Sequence, residues 1–333
     1  MKRKGTILFA LLLATAPSFP CGNSYHRSAN ADEYVHGSRM ESFRFKRAFS
    51  NSALMAELTS LTDAINTQLD LFENENDRAL TYMRMGRYDE ATTILEKLEK
   101  EKPGEYNVIA NLGTLYELKG ENEKALQYIR KAVAINAQSH RGSEWFHIKI
   151  LEAKLLHKNA DWWKTHHVLD IAAVQKSPEL IISDIVYQLK ERLPFTQSPD
   201  VLMAAVLNET GDYLLEQNKN EQAWIIFKIA TEYDSDNLFS LQTKIAVLEK
   251  KLTAGNKPLP DYNAHFVNAD ELIKTGTDLL EKGIGMYNRY QDREKEKAVA
   301  ESRKRKIYFF AVGGLIIGLG VLLYFSLRKK NVA

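Results

Sequence analysis

Two neighbouring stretches of this chain carry the same pattern of small and apolar residues thirty-four positions apart, and that recurrence restricts the fold more than any other feature. Residues 106–139 read YNVIANLGTLYELKGENEKALQYIRKAVAINAQS. Ile109, Leu112, Gly113 and Tyr116 fall on one face of a first helix, and Ala125, Ile129, Ala132 and Val133 on one face of a second. Lys119-Gly120-Glu121 makes the turn between them. Gly113 and Ala125 are small where two helices of a hairpin must approach closely, with the bulky Tyr116 and Ile129 beside them. Neither helix can bury its apolar face alone, so the unit needs neighbours. Residues 72–105 supply one in register, with Ala79, Tyr82, Ala91, Leu95 and Pro103 at matching places and Gly86 thirty-four residues before Gly120. Such a pattern predicts an all-α solenoid of helical hairpins.

The spacing resembles the tetratricopeptide repeat. That family places Leu-Gly at the seventh and eighth positions, Tyr at the eleventh and Ala at the twentieth and twenty-seventh. Counted from Tyr106, these are Leu112, Gly113, Tyr116, Ala125 and Ala132, while Ala137 stands where the closing Pro is usual. A further unit spans 204–237, with Gly211, Ala223, Phe227 and Ala230 in place and Leu214 replacing the Tyr. It starts 98 residues after Tyr106 where three perfect repeats need 102, so 140–203 reads as degenerate. Within it, Ser143 to Leu156 and Glu179 to Leu193 have helical patterns, closed by Pro194 and Pro199. Ser52 to Leu71 reads as a capping helix and 238–252 as the opposite cap, giving a solenoid over 52–253.

The resemblance implies a concave groove, lined by the first helices of the repeats, that binds a protein or peptide partner without catalysis. In the family the second, fifth, ninth and twelfth places face the ligand. These are Asn107, Ala110, Thr114 and Glu117 in the central repeat, and Arg141, Glu144, Ile148 and Leu151 in the next. Some members clamp a terminal carboxylate with Lys and Asn. Asn111 and Arg141 stand at comparable places, but Asn76 and Leu80 occupy those where the preceding repeat would need Lys and Asn, so the clamp is incomplete. The run Ser139–Lys154 is rich in polar and aromatic residues. Trp145 and Ile150 are expected in the core; Glu144, His147 and Glu152 are expected at the surface. The candidate partner-binding residues are therefore Asn107, Asn111, Thr114, Glu117, Arg141, Glu144, His147 and Glu152.

The two ends differ from this body. Residues 1–20, MKRKGTILFALLLATAPSFP, have the basic start and short apolar core of a secretory signal peptide. Cleavage just before Cys21 is the preferred reading; Ser18-Phe19-Pro20 is a poor lipobox, so lipidation of Cys21 is the lesser one. Residues 21–51 have no period and read as an irregular arm packed on the first helices. Pro258 and Pro260 mark a linker over 254–267, followed by a charged stalk helix over 268–306. Ile307–Leu327 is uncharged and long enough to cross a bilayer, with Tyr308 and Tyr324 near its ends. Gly314 and Gly318 have the spacing of helix pairing and self-association, although glycine is common in membrane helices anyway. A cleaved signal followed by this stop puts the body in a bacterial periplasm and residues 328–333 in the cytoplasm, which suits Arg328-Lys329-Lys330. Arg303 to Lys306 lie on the wrong side for that rule. With Cys21-Gly22-Asn23 at the predicted mature start, the run Ser139–Lys154 and the repeat before it, the whole chain resembles exported, membrane-anchored bacterial tetratricopeptide proteins, a likeness that implies no particular activity.

Charge and motifs exclude other classes. The formal charge is +2, but removing the ten basic residues clustered at the two ends leaves −8 for residues 21–302. An acidic body is a poor nucleic-acid binder. The single cysteine allows no internal disulfide. No Walker loop, G-x-S-x-G or dinucleotide-binding motif occurs, so no cofactor is expected. Five of the eight histidines lie between 140 and 167, and His140, Glu144 and His147 would share a face on a continuous helix, as zinc ligands can. Gly142-Ser143 looks like the helix start, however, which leaves His140 outside, and no metal site is assigned. The expected function is a membrane-anchored periplasmic scaffold for protein–protein interaction. A tail-anchored cytosolic adaptor is the alternative, and a metal-dependent enzyme using His140–His167 is a third, less favoured reading.

Overall fold

The computed structural model describes residues 23–25, 43, 45–46, 49–157, 159, 162–267 and the backbone of 269–330. The predicted signal peptide, Cys21 and residues 331–333 lie outside the described residues, as do the side chains of 305–330. The chain divides into two compact units, Met1–Leu280 and Glu281–Ala333.

In the first unit the recurring pattern becomes a run of antiparallel hairpins. Helices α1 (Asn51–Asn66), α2 (Leu71–Arg84), α3 (Tyr88–Glu101), α4 (Tyr106–Leu118) and α5 (Asn122–Ile135) follow one another, each packed on the next. After a 3-10 turn at Ser139–Gly142 come α6 (Glu144–Leu156), the short α7 (Trp162–Thr165) and α8 (Pro178–Arg192). Another hairpin, α9 (Val201–Glu216) with α10 (Asn220–Tyr233), leads to α11 (Leu241–Leu252). Local chemistry sets several starts. Ser50, Ser177 and Asp200 cap α1, α8 and α9 by accepting bonds from the amides of Ala53, Leu180 and Met203, and Pro178 sits at the first turn of α8 where its missing N–H costs nothing. The hairpins close on left-handed residues at the same repeat place: Gly86 (φ +73°), Gly120 (φ +78°) and Asn218 (φ +58°). Asn tolerates that conformation better than most residues, which is why the third unit can dispense with Gly.

Inside each hairpin a missing side chain lets the helices meet. A Cβ on Gly113 would lie 2.5 Å from Cδ1 of Ile129, and one on Gly211 would overlap the ring of Phe227. Packing then forms two large cores among the described residues. One gathers Leu80, Leu95, Leu112, Tyr116 and Ile129 from α2–α5, and the other gathers Phe146, Ile182, Met203, Trp224, Phe227 and Ile245 from α6–α11. Helix α6 divides them, because Leu151 faces the first and Phe146 and Ile150 the second. The two-residue strand β1 (Phe45–Lys46) pairs in parallel with β2 (Phe266–Val267), so the arm and the segment after α11 meet. There the Phe45 side chain is wholly buried, and His265 Nδ1 donates to the Phe43 carbonyl at 2.7 Å.

Helix α8 departs from the hairpin pattern. Every residue from Ile181 to Arg192 is buried, polar ones included. A helix on the outside of a solenoid would expose one face. Instead α8 lies against the Ser139–Gly142 turn, α6 and β1, on the side of the repeats formed by their first helices.

Residues 281–330 of helix α12 (Ala269–Lys330) make up the described backbone of the second unit. Exposed pairs such as Lys297–Glu294 at 2.8 Å lie along it and add little stability. Among the described residues no helix is long and apolar enough to cross a membrane. The predicted span Ile307–Leu327 and the Gly314/Gly318 pair rest on side chains outside the described residues.

Gly113→Ala gives a measure of the hairpin packing. Helix propensity favours Ala by about 1 kcal/mol, whereas overpacking against Ile129 costs about 1–3 kcal/mol. The variant is expected to be the less stable protein in urea unfolding, with an unchanged slope; a gain in stability would show that Ile129 yields freely.

Candidate functional site

The concave side of the first unit is lined by α2, α4 and α6, and its polar side chains fall into two connected groups. In the first, three residues of the arm lie across α2 and α4. The Asn23 N–H donates to Asn111 Oδ1 at 2.7 Å, and the Asn23 carbonyl accepts from Asn76 Nδ2 at 2.6 Å and Asn111 Nδ2 at 3.1 Å. Asn111 Nδ2 also donates to Asn76 Oδ1 at 2.9 Å, so the two amides brace each other. Both asparagines are fully buried. Next along the arm, Ser24 Oγ donates to Asp77 Oδ2 at 2.7 Å, the Tyr25 N–H donates to Asp77 Oδ1 at 2.8 Å, and the Tyr25 hydroxyl donates to Glu105 Oε1 at 2.8 Å. Burial, then the bond to Glu105, pushes the Tyr25 phenol far above its ordinary range, and a bond from Asn107 opposes this.

The second group centres on Glu117 of α4. Arg192 of α8 meets it with two parallel bonds, Nη1 to Oε1 at 2.7 Å and Nη2 to Oε2 at 3.0 Å. Lys154 Nζ donates to Oε1 at 2.7 Å, and His147 Nε2 lies 2.6 Å from Oε2. Burial alone would raise the Glu117 carboxyl, but Arg192, Lys154 and His147 outweigh it and hold the group well below the usual carboxylate range. The chain of contacts continues through α6. His147 Nδ1 is 3.8 Å from Glu144 Oε2, and Glu144 Oε1 bonds His140 Nδ1. Glu144 is also buried and would be raised by that, yet His140 and then His147 lower it. His140 Nε2 lies 3.1 Å from Asn23 Oδ1, which joins the second group to the first.

Of the residues singled out from sequence, Asn111, Thr114, Glu117, Glu144 and His147 come together here, and Asn107 borders the Tyr25 hydroxyl. Glu144 and His147 were expected at the surface, and that expectation is corrected. Both are buried, because α8 covers the face of α6 that a simple repeat would leave open. Arg141 is exposed, with φ +58° and its guanidinium 5.5 Å from the Tyr187 ring centre. Glu152 faces away, paired with Arg130 at 2.9 Å. Trp145, expected in the core, is half-buried and donates to Asp184 at 2.7 Å. His140 lies in the turn before α6 and still reaches Glu144. Its neighbours form a hydrogen-bonded line, and among the described residues no group of three or more His, Cys, Asp or Glu is arranged to hold a metal ion. His166 and His167 are exposed elsewhere, with His166 stacked on Trp162.

Sequence reasoning missed Asp77, Glu105 and Arg192, and treated Asn76 as a failed clamp position. One signal was present: Asp77 and Asn111 are polar residues at the same repeat place, thirty-four apart. Nothing comparable marks Arg192.

These features define a helical-repeat protein whose concave side is built from polar side chains directed at main chain and at one buried ion-pair network. Residues 82–143 match the tetratricopeptide repeat family model, and over that stretch the chain carries tetratricopeptide repeats. No curated protein matches the sequence.

Removing the charge of Glu117 tests the network. Glu117→Gln removes the buried carboxylate that Arg192, Lys154 and His147 share, and a loss of about 3–5 kcal/mol is expected in chemical unfolding at neutral pH. The folded carboxyl lies below its unfolded value, so its contribution is complete above the unfolded carboxylate range and is lost as pH falls through the folded value. Lowering the pH from about 7 to about 3.5 should therefore destabilise the wild type more than Glu117→Gln. Equal acid sensitivity would show that Glu117 is not the group responsible.

Proposed function

We propose that this protein is a membrane-anchored periplasmic scaffold that binds an extended segment of another protein on its concave side and carries out no catalysis of its own. One observation carries the binding part: Asn76 and Asn111 hold the main chain of Asn23 by both its N–H and its C=O group. Amide side chains braced in this way grip polypeptide independently of its side chains, as strand pairing does, but from helices. Tetratricopeptide repeats are in general non-catalytic interaction scaffolds, which agrees with this reading.

The anchoring part is supported by sequence. A basic, then apolar, N-terminal stretch suits export, and the uncharged run Ile307–Leu327 suits a single membrane crossing. Repeats held in the periplasm by such an anchor would keep a partner close to the inner membrane.

Two measurements test the reading. In spheroplasts, added protease should degrade the repeat body; a body protected until the membrane is broken would favour the cytosolic tail-anchored orientation. A photo-cross-linking residue at Asn107, beside the groove, should capture a protein that the same group at the exposed Gln127 on α5 does not. Identical capture at both positions, or none at Asn107, would remove the groove from the proposal.

A further inference from the structure

The groove residues do more than hold main chain, because each arm residue is also read through its side chain or through a second polar group. Asn23 is met at Oδ1 by His140 Nε2, Ser24 gives its hydroxyl proton to Asp77, and Tyr25 gives its phenolic proton to Glu105. The Tyr25 ring also meets Phe72 edge-on at 6.4 Å between centres. Asn23 and Ser24 are buried, and the groups that receive them, Asn76, Asp77, Asn111 and His140, are at least nine-tenths buried as well.

We infer that Asn23–Tyr25 is an intramolecular ligand. It occupies a sequence-reading site between α2, α4 and the Ser139–Gly142 turn, and the site takes a segment of the form Asn, then a hydroxyl residue, then a tyrosine. This rests on the reading of the concave side as a protein-binding surface and names what that surface prefers and what now fills it. Any partner segment that uses the site must displace the arm.

The character of the contacts supports displacement over permanent strapping. Farther along the same arm, Phe43 and Phe45 are buried in the second core, where apolar burial holds them. Asn23 and Ser24 contribute no such burial. Their hydrogen bonds replace bonds to water, so the net gain of each is only a fraction of its gross strength, and ordering the segment offsets part of it. What keeps the arm in place is its tether. Seventeen residues separate Tyr25 from Phe43, which is itself fixed, so the arm acts at an effective concentration on the order of millimolar. An arm that would bind with a dissociation constant of about 10–100 μM as a free peptide then weakens a competitor about ten- to a hundredfold.

The experiment compares the wild-type full chain with the full-chain double variant Asn23→Ala, Ser24→Ala. The probe is a synthetic peptide of residues 22–27 with a fluorophore at its C-terminus, read by anisotropy. The variant should bind the peptide at least tenfold more tightly than the wild type. Adding Asn111→Ala to that variant should abolish binding, and a peptide with Ala in place of its Asn should bind at least tenfold more weakly. Equal affinity for wild type and variant, or no binding to a variant with wild-type circular dichroism, overturns the proposal. A second measurement needs no arm variant. In the folded wild type, the amides of Asn23 and Tyr25, which bond to Asn111 and Asp77, should exchange with solvent at least tenfold more slowly than in the free peptide. Exchange at the free-peptide rate overturns the proposal as well. If the peptide does not bind while cross-linking from Asn107 still captures a partner, the intramolecular ligand is refuted and the scaffold reading survives.

Discussion

The bidentate pair between Glu117 and Arg192 ties together parts of the chain that the repeat pattern alone would leave apart. Glu117 sits on a repeat helix and Arg192 at the end of a helix that belongs to no repeat. Both are buried, so each charge has lost its water and depends on the other, with Lys154 and His147 completing the shell around the carboxylate. A buried pair of this kind is weak evidence for stability relative to an apolar contact, but it is strict about geometry, because a displaced partner leaves an uncompensated charge. That strictness docks α8 in one position inside the curve of the repeats.

The consequences spread along one line of contacts. With α8 seated, the groove-facing side of α6 is covered and Glu144 and His147 become interior groups. Glu144 in turn holds His140 in the turn ahead of α6, and His140 meets the side chain of Asn23. The concave side is thus closed in two different ways. Around Glu117 it is sealed by a helix held by charge and by a large apolar core. Around Asn76 and Asn111 it is filled by three residues held by hydrogen bonds to a tethered arm. The first closure is part of the fold. The second is the part of the surface with a small enough hold to exchange, and it is where the polar ladder faces.

Much of the architecture was readable because its determinants are local and repeat. Gly113 opposite Ile129, the left-handed Gly86 and Gly120, and the apolar faces of α2 to α5 all act within about forty residues, and a period of thirty-four makes each visible twice. The candidate site was readable only in part. Asn111, Thr114 and Glu117 stand at repeat places that face inward, so the pattern points to them. Arg192 lies 75 residues from Glu117 in an unrepeated segment, and the arm contact joins residues 53 and 88 apart. No periodicity reports such pairings. The same reason explains the misplacement of Glu144 and His147: a helix pattern shows which face is polar, and a polar face is solvated unless another element happens to cover it.

The sequence by itself determined that hairpins of α-helices stack, where they turn, and which small residues allow their close approach, since those are properties of neighbouring side chains and backbone conformation. Only the tertiary structure decided what fills the curve of the stack. Helix α8 and the segment Asn23–Tyr25 reach it through chain reversals whose geometry depends on the whole packed unit, and the polar groups they meet carry the same identity in the sequence whether they end in water or in one another.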